Sequence, residues 1–370
     1  MAEDGKDSRE CLEESGKCKT LKYILWHFRS SDFIKIYCHP IHSIFIIKDD
    51  IDFAGTEYTN FRIMYLVTET NDSYSNFQST IHQILQRKSS FILVRNIMLK
   101  SCRISLGLKA LMFENVLCSN IDVLFKGNGN ENIDLLLLNV SFISPSKYCR
   151  NTVHVANIGS LYITAKNSKF QCFRLMAESK YMHVLFKNCI FFKDPKQGYN
   201  TLILERNNGW FLLQNFIKFD NVTVQLTSNS KMVSEQHQQS ECLITIELEN
   251  IDLHIINSSF SYLHCAVSVL KRNPRLKYDA VYLSMRVLNC KFQFNHGSLK
   301  GSAINIILYQ YATPLITADI IVKSCFFNEN VASVQGGCIN IESGPYESLY
   351  DKQVTVFIEN SEFIRNVRLA

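Results

Sequence analysis

Two stretches of this chain say nearly the same thing. Ser324 to Ile341 reads SCFFNENVASVQGGCINI, and Asn289 to Ile306 reads NCKFQFNHGSLKGSAINI. Both carry Phe-x-x-Asn (Phe327 with Asn330, Phe292 with Asn295), a small-residue pair (Gly336-Gly337, Gly301-Ser302) and then Ile-Asn-Ile. ENSEFIRNV, from Glu359, begins the phrase a third time. Repetition of this kind decides the architecture before any single residue can be given a role.

The repeat extends upstream if the Asn or Ser that closes each apolar-alternating segment is taken as its marker. The markers are Asn96, Asn115, Asn139, Asn167, Asn188, Asn221, Asn257, Asn289, Ser324 and Asn360, at gaps of 19 to 36 residues. Period-two segments such as IDLHII (251–256), SMRVL (284–288) and VTVFI (354–358) precede them, the pattern of half-buried strands. Helical periodicity is confined to Thr20 to Phe28 and Phe77 to Lys88. A strand, an Asn turn, a loop and a second short strand (AINII, CINI) make one coil of an all-β parallel β-helix, with roughly ten coils. Stacking at about 4.8 Å sets equivalent residues over one another. An inward Phe then builds an apolar column, and an Asn at each turn builds an amide ladder. Gly336 and Gly337 suit a corner that needs positive φ or close backbone approach. The expected layout is a capping segment over 1–40 and a helix over 41–370, with an incomplete last coil.

Composition narrows the function. A chain of 370 residues buries a large core without staples. The apolar runs, Leu135 to Leu138 being the densest, are too short for a membrane helix, and MAEDGKDSRE has no signal-peptide core. A net charge of +5 spread along the chain argues against nucleic acid. None of the 13 cysteines forms Cys-x-x-Cys, so no metal or cofactor is expected, and Cys38, His39 and His42 read as a strand end and turn. Cys189, Cys290 and Cys325 share one slot and read as stacked buried thiols, with a coil-to-coil disulfide the lesser reading.

Phe-x-x-Asn followed by Gly-Gly-x-Ile resembles the repeats of bacterial polymorphic outer membrane proteins and of the large β-helix surface proteins of many invertebrates. The segment DGKDSRECLEESGKCKTLKYIL is similar to the N-terminal cap of the latter. The resemblance implies a right-handed, pectin-lyase-like fold, a short capping helix, a Cys11–Cys18 disulfide and an exported protein. It also implies that the chain is a fragment whose leader is missing.

Candidate chemistry is sparse. Asp49, Asp50 and Asp52 form the one early acidic cluster, and they read as a turn. Lys271, Arg272, Arg275 and Lys277 approach the Arg-x-Pro-x-x-Arg of pectate lyases, but Lys277 stands where that motif has Arg; a basic loop able to meet an acidic glycan is the better reading. Four sequons occur, at Asn71, Asn139, Asn221 and Asn257. The last three coincide with ladder markers and are expected to point inward, which leaves Asn71 as the glycosylation candidate. The preferred function is a non-catalytic extracellular or cell-surface protein with structural or adhesive roles, binding carbohydrate or another surface protein. The alternative is a polysaccharide lyase or hydrolase working in a groove along the coils.

Overall fold

All ten markers take a left-handed backbone, with φ between +47° and +55°. Asn tolerates this region, whereas most L-residues there cost about 1–2 kcal/mol. The protein is seen in a computed structural model that describes residues 6–12, 18–19, 23–24, 27, 33–38, 45–47, 51–53, 63–68, 90–101, 103–106, 109–126, 132–143, 151–193, 201–206, 214–226, 242–248, 250–270, 281–297, 301–308, 315–333, 336–342 and 351–368. The chain is nearly all β, with parallel sheets that curl about one core, an arrangement of the parallel β-helix type.

One coil shows the plan. Ile251–Ile256 lies in one ladder of a first sheet, Ser259–Ser261 in a second sheet, and Val267–Leu270 in another ladder of the first sheet. Val281–Leu288 then returns to the first ladder, pairing in parallel with Ile251–Ile256. The segment after each marker, in most coils bearing Phe, is thus a strand with its own sheet, where the sequence reading had a turn and loop. Among the described residues the first ladder has twelve rungs, from Phe33–Cys38 to Asp351–Glu359. Two of them, Phe33–Cys38 and Ile63–Thr68, stack before the first marker.

The left-handed corners explain the burial pattern. Leu253 and Ile255 point inward, Asn257 is exposed, and Ser258 and Phe260 point inward again, so the alternation slips by one residue at the marker. A second slip comes five residues after the marker, where Ser101, Asn120, Cys172, Tyr262, Phe294, Glu329 and Arg365 all have φ between +49° and +60°. Those residue types share no conformational signature, which hid this corner from the sequence. Each slip turns the chain while keeping its apolar set on the core side.

Each inward column has a stated chemistry. Phe260, Phe292, Phe327 and Phe363 stack at centroid separations of 5.3, 5.0 and 4.7 Å with nearly parallel planes. Behind them Asn295 and Asn330 are fully buried, and Asn330 donates to Asn366 Oδ1 at 2.8 Å. Their amides also donate to the carbonyls of Phe260 and Phe292, so the Asn of Phe-x-x-Asn satisfies backbone that the second corner leaves unpaired. The slot after the marker takes Ile, Val, Ser or Cys. Ser168, Ser258 and Ser361 accept the N–H of Val140, Val222 and Cys325. In the same slot Cys325 Sγ accepts the N–H of Cys290. Cys189, Cys290 and Cys325 are free and buried there.

The glycines divide the two tasks. Gly336 has φ +59° and Gly301 φ +58°. A Cβ on Gly337 would lie 3.0–3.2 Å from the Val367 backbone, so the reason for glycine there is close approach.

At the N-terminal end Tyr23, Ile24 and His27 are helical, and Cys18 and Ile24 join the core cluster. The second helical expectation, Phe77 to Lys88, lies outside the described residues. Outward-pointing Leu93, Met112 and Leu136 are also buried, so this part of the first sheet is covered on both faces. Coverage on both faces accounts for the unbroken Leu135 to Leu138 run.

Candidate functional site

Beyond the covered end, the outer face of the first sheet carries a strip of rings. Tyr162, His183 and Phe216 are register partners on successive rungs, and Phe216 is partnered in turn by Asp252. Centroids are 6.2 Å apart for Tyr162 and His183, and 4.9 Å for His183 and Phe216, with planes 28° and 33° apart. Tyr181 meets Tyr162 edge-on at 5.8 Å, and His254 meets Phe216 at 5.5 Å. All five are half-buried.

In-register stacking sets the chemistry of this strip. Rings stacked along the axis spend their faces on one another and turn their edges outward. The edges carry imidazole nitrogens, tyrosine hydroxyls and ring C–H, a mixed surface suited to recognition. His254 Nε2 lies 2.9 Å from Asp252 Oδ1, and Lys218 Nζ lies 3.4 Å from Asp220. Arg286, exposed, is the register partner of His254 on the next rung.

The sequence held a signal for this strip that was not used. Tyr162, His183, Phe216 and Asp252 each lie five residues before a marker, namely Asn167, Asn188, Asn221 and Asn257. Laying the repeats on their markers would have brought them together.

The outer ladder joins the markers themselves. Asn115 Nδ2 donates to Asn96 Oδ1 at 3.1 Å, Asn139 to Asn115 at 2.8 Å, Asn188 to Asn167 at 3.1 Å, Asn221 to Asn188 at 2.9 Å and Asn289 to Asn257 at 3.3 Å. At Ser324 the backbone ladder continues, Asn289 N–H donating to Lys323 and Ser324 N–H to Glu359. Asn96 is half-buried and the other marker side chains are exposed, which corrects the inward placement expected for Asn139, Asn221 and Asn257. The cause is the corner: the marker is the residue at which the alternation slips, so its neighbours take the core side.

Other candidates fall where less is described. Lys271, Arg272, Arg275 and Lys277 lie outside the described residues, as do Asn71, Asp49, Asp50, His39 and His42. Asp52 lies in strand Ile51–Phe53 and Cys38 in Phe33–Cys38. Cys11 sits in the 3-10 turn Arg9–Leu12, its side chain outside the described set, while Cys18 is disulfide-bonded. Cys242 and Cys265 form a disulfide just before two neighbouring rungs, Ile244–Glu247 and Val267–Leu270, of the first sheet. Among the described residues no group of three or more His, Cys, Asp or Glu is placed to hold a metal, and no helix is long and apolar enough to cross a membrane.

A comparison with protein-family models, with curated proteins and with solved structures finds no match.

Proposed function

We propose that the chain is a non-catalytic recognition rod of the cell surface or extracellular space, part of a larger protein, wound as a right-handed, pectin-lyase-like parallel β-helix. Right-handed winding is the expected sense for strand-to-parallel-strand crossovers. The observation that carries the reading is how carboxylates are used. Glu114, Asp122 and Glu359 pair with Arg95 at 2.6 Å, Arg103 at 2.9 Å and Lys323 at 3.0 Å, each the register partner on the preceding rung. Acidic groups that a hydrolase would aim at substrate here rivet coil to coil. The Cys242–Cys265 disulfide supports an oxidising compartment. The ring strip supports contact with carbohydrate or a surface protein.

A second reading, a polysaccharide hydrolase, has one observation in its favour. Asp252 and Asp319 flank Ser284 in register on the first sheet, two strand spacings or about 9.5 Å apart, the upper end of the inverting range. Asp252 is, however, already held by His254. Incubation with a panel of acidic and neutral polysaccharides, with and without calcium, decides between them. Binding without cleavage is expected; chain shortening that Asp319→Asn abolishes would establish the hydrolase.

A further inference from the structure

We infer that the outer asparagine corner is an N-glycan acceptor row, with Asn139 and one of Asn221 or Asn257 carrying carbohydrate. The inference rests on the proposed export of the chain, and it reverses the sequence expectation for these sites.

Three observations meet at this corner. Asn139-Val-Ser141, Asn221-Val-Thr223 and Asn257-Ser-Ser259 are sequons, and each asparagine is exposed with φ between +52° and +55°. Each hydroxyl residue opens a strand of the second sheet, so the acceptor stands at the edge of a rigid corner, clear of any sheet face. The ladder bonds are also compatible with the modification. Asn139 and Asn221 each use an Nδ2–H to reach the rung before, and a side-chain amide has two.

The chemistry keeps that bond. Nδ2 attacks C1 of the first sugar of a polyprenyl-pyrophosphate-linked oligosaccharide. The Nδ2–C1 bond forms, the C1–O bond to pyrophosphate breaks, Nδ2 gives up one proton, and polyprenyl pyrophosphate leaves. One N–H remains, opposite the carbonyl in the trans amide, and that is the hydrogen a stacked amide directs at its neighbour. The sugar projects outward while the rung survives.

Spacing then selects among the three. Asn139 and Asn221 are separated by the rungs of Asn167 and Asn188, whereas Asn221 and Asn257 sit on adjacent rungs, as the pairing of Thr223 with Ser259 shows. At a spacing of about 4.8 Å one oligosaccharide crowds out a second. Asn221 emerges from the ribosome first, and once it carries its sugar the two rungs stack only in chains whose Asn257 is bare.

The test is to send the chain through a eukaryotic secretory pathway behind a supplied leader, with an Asn-x-Thr tail appended as a control, and to read each site by peptide mass spectrometry after enzymatic deglycosylation. Glycan at Asn139 and Asn221, with Asn257 bare, is expected. Ser141→Ala should empty Asn139, and Thr223→Val should move the second glycan to Asn257; both leave the corner asparagines in place. A glycosylated tail with all three corner sites bare overturns the inference. Simultaneous occupancy of Asn221 and Asn257 overturns the exclusion. The same chain expressed from its native transcript separates the two readings: bare sites there, with sites filled behind the supplied leader, would overturn export and leave the acceptor assignment standing.

Discussion

Asn295 Nδ2 donates to Asn330 Oδ1 at 2.8 Å where both side chains are fully buried. The same oxygen receives the Asn295 backbone N–H at 3.3 Å, and Asn330 Nδ2 reaches the Phe292 carbonyl at 2.9 Å. Replacing Asn330 by Leu, similar in volume, takes the acceptor from the Asn295 N–H groups on one side and the donor from the Phe292 carbonyl and Asn366 Oδ1 on the other. A loss of roughly 1–3 kcal/mol for each unsatisfied group is expected in denaturant unfolding. A neutral result would show that water replaces the amide.

The corner markers separate backbone conformation from side-chain bonding. Asn188→Gly keeps the left-handed backbone and loses only the amide rungs to Asn167 and Asn221. Asn188→Ala loses the rungs and adds about 1–2 kcal/mol of conformational cost. The alanine variant should therefore melt below the glycine variant. In the opposite direction, Ser324→Asn supplies the residue that the other nine corners use, and a gain of about 1 kcal/mol is expected.

Gly336 and Gly337 should fail differently. Gly336→Ala introduces a Cβ at φ +59° and 2.5 Å from the Ile339 carbonyl oxygen, so it distorts its own turn. Gly337→Ala pushes on the Val367 backbone instead. Hydrogen exchange should rise at residues 338–341 in the first variant and at Val367 and Arg368 in the second. Identical exchange maps would contradict this division.

Burial raises the thiols of Cys189 and Cys338 from 9.0 to about 11. Cys290 shifts upward too, through contact with Cys325 and burial. Because the folded chain holds these protons more tightly than the unfolded one, their contribution is complete below pH 9. It declines as pH rises through about 11, where the buried thiols ionise. Unfolding midpoints should fall across that window, and Cys189→Ser should flatten the slope. A slope unchanged in the variant would assign the alkaline loss to other groups.

Cys242 and Cys265 are 23 residues apart, and closing such a loop is worth about 3 kcal/mol in the chain-entropy account. The Cys242→Ser, Cys265→Ser double variant should lose stability on that order by denaturant titration, and reductant should lower the parent chain to the same midpoint. A parent indifferent to reductant would show the bond is not formed in solution.

The repeating coil can be read from residue order. The ten markers, the inward Phe column, the glycines before Ile-Asn-Ile and the shared thiol slot were all legible, because stacked coils force equivalent residues into equivalent environments. The second corner was not legible, since Tyr262, Phe294, Glu329 and Arg365 have no residue type in common and only the backbone reveals their positive φ. Nor was the direction of the marker asparagines, which depends on where the inward alternation slips. Tertiary structure alone decided which outward residues meet. Gaps of 21 and 33 residues separate Tyr162, His183 and Phe216 in the chain, and stacking converts each gap into one strand spacing. Contact across the sheet follows the register between coils, and loop lengths leave the register unchanged while removing every sign of it from local sequence.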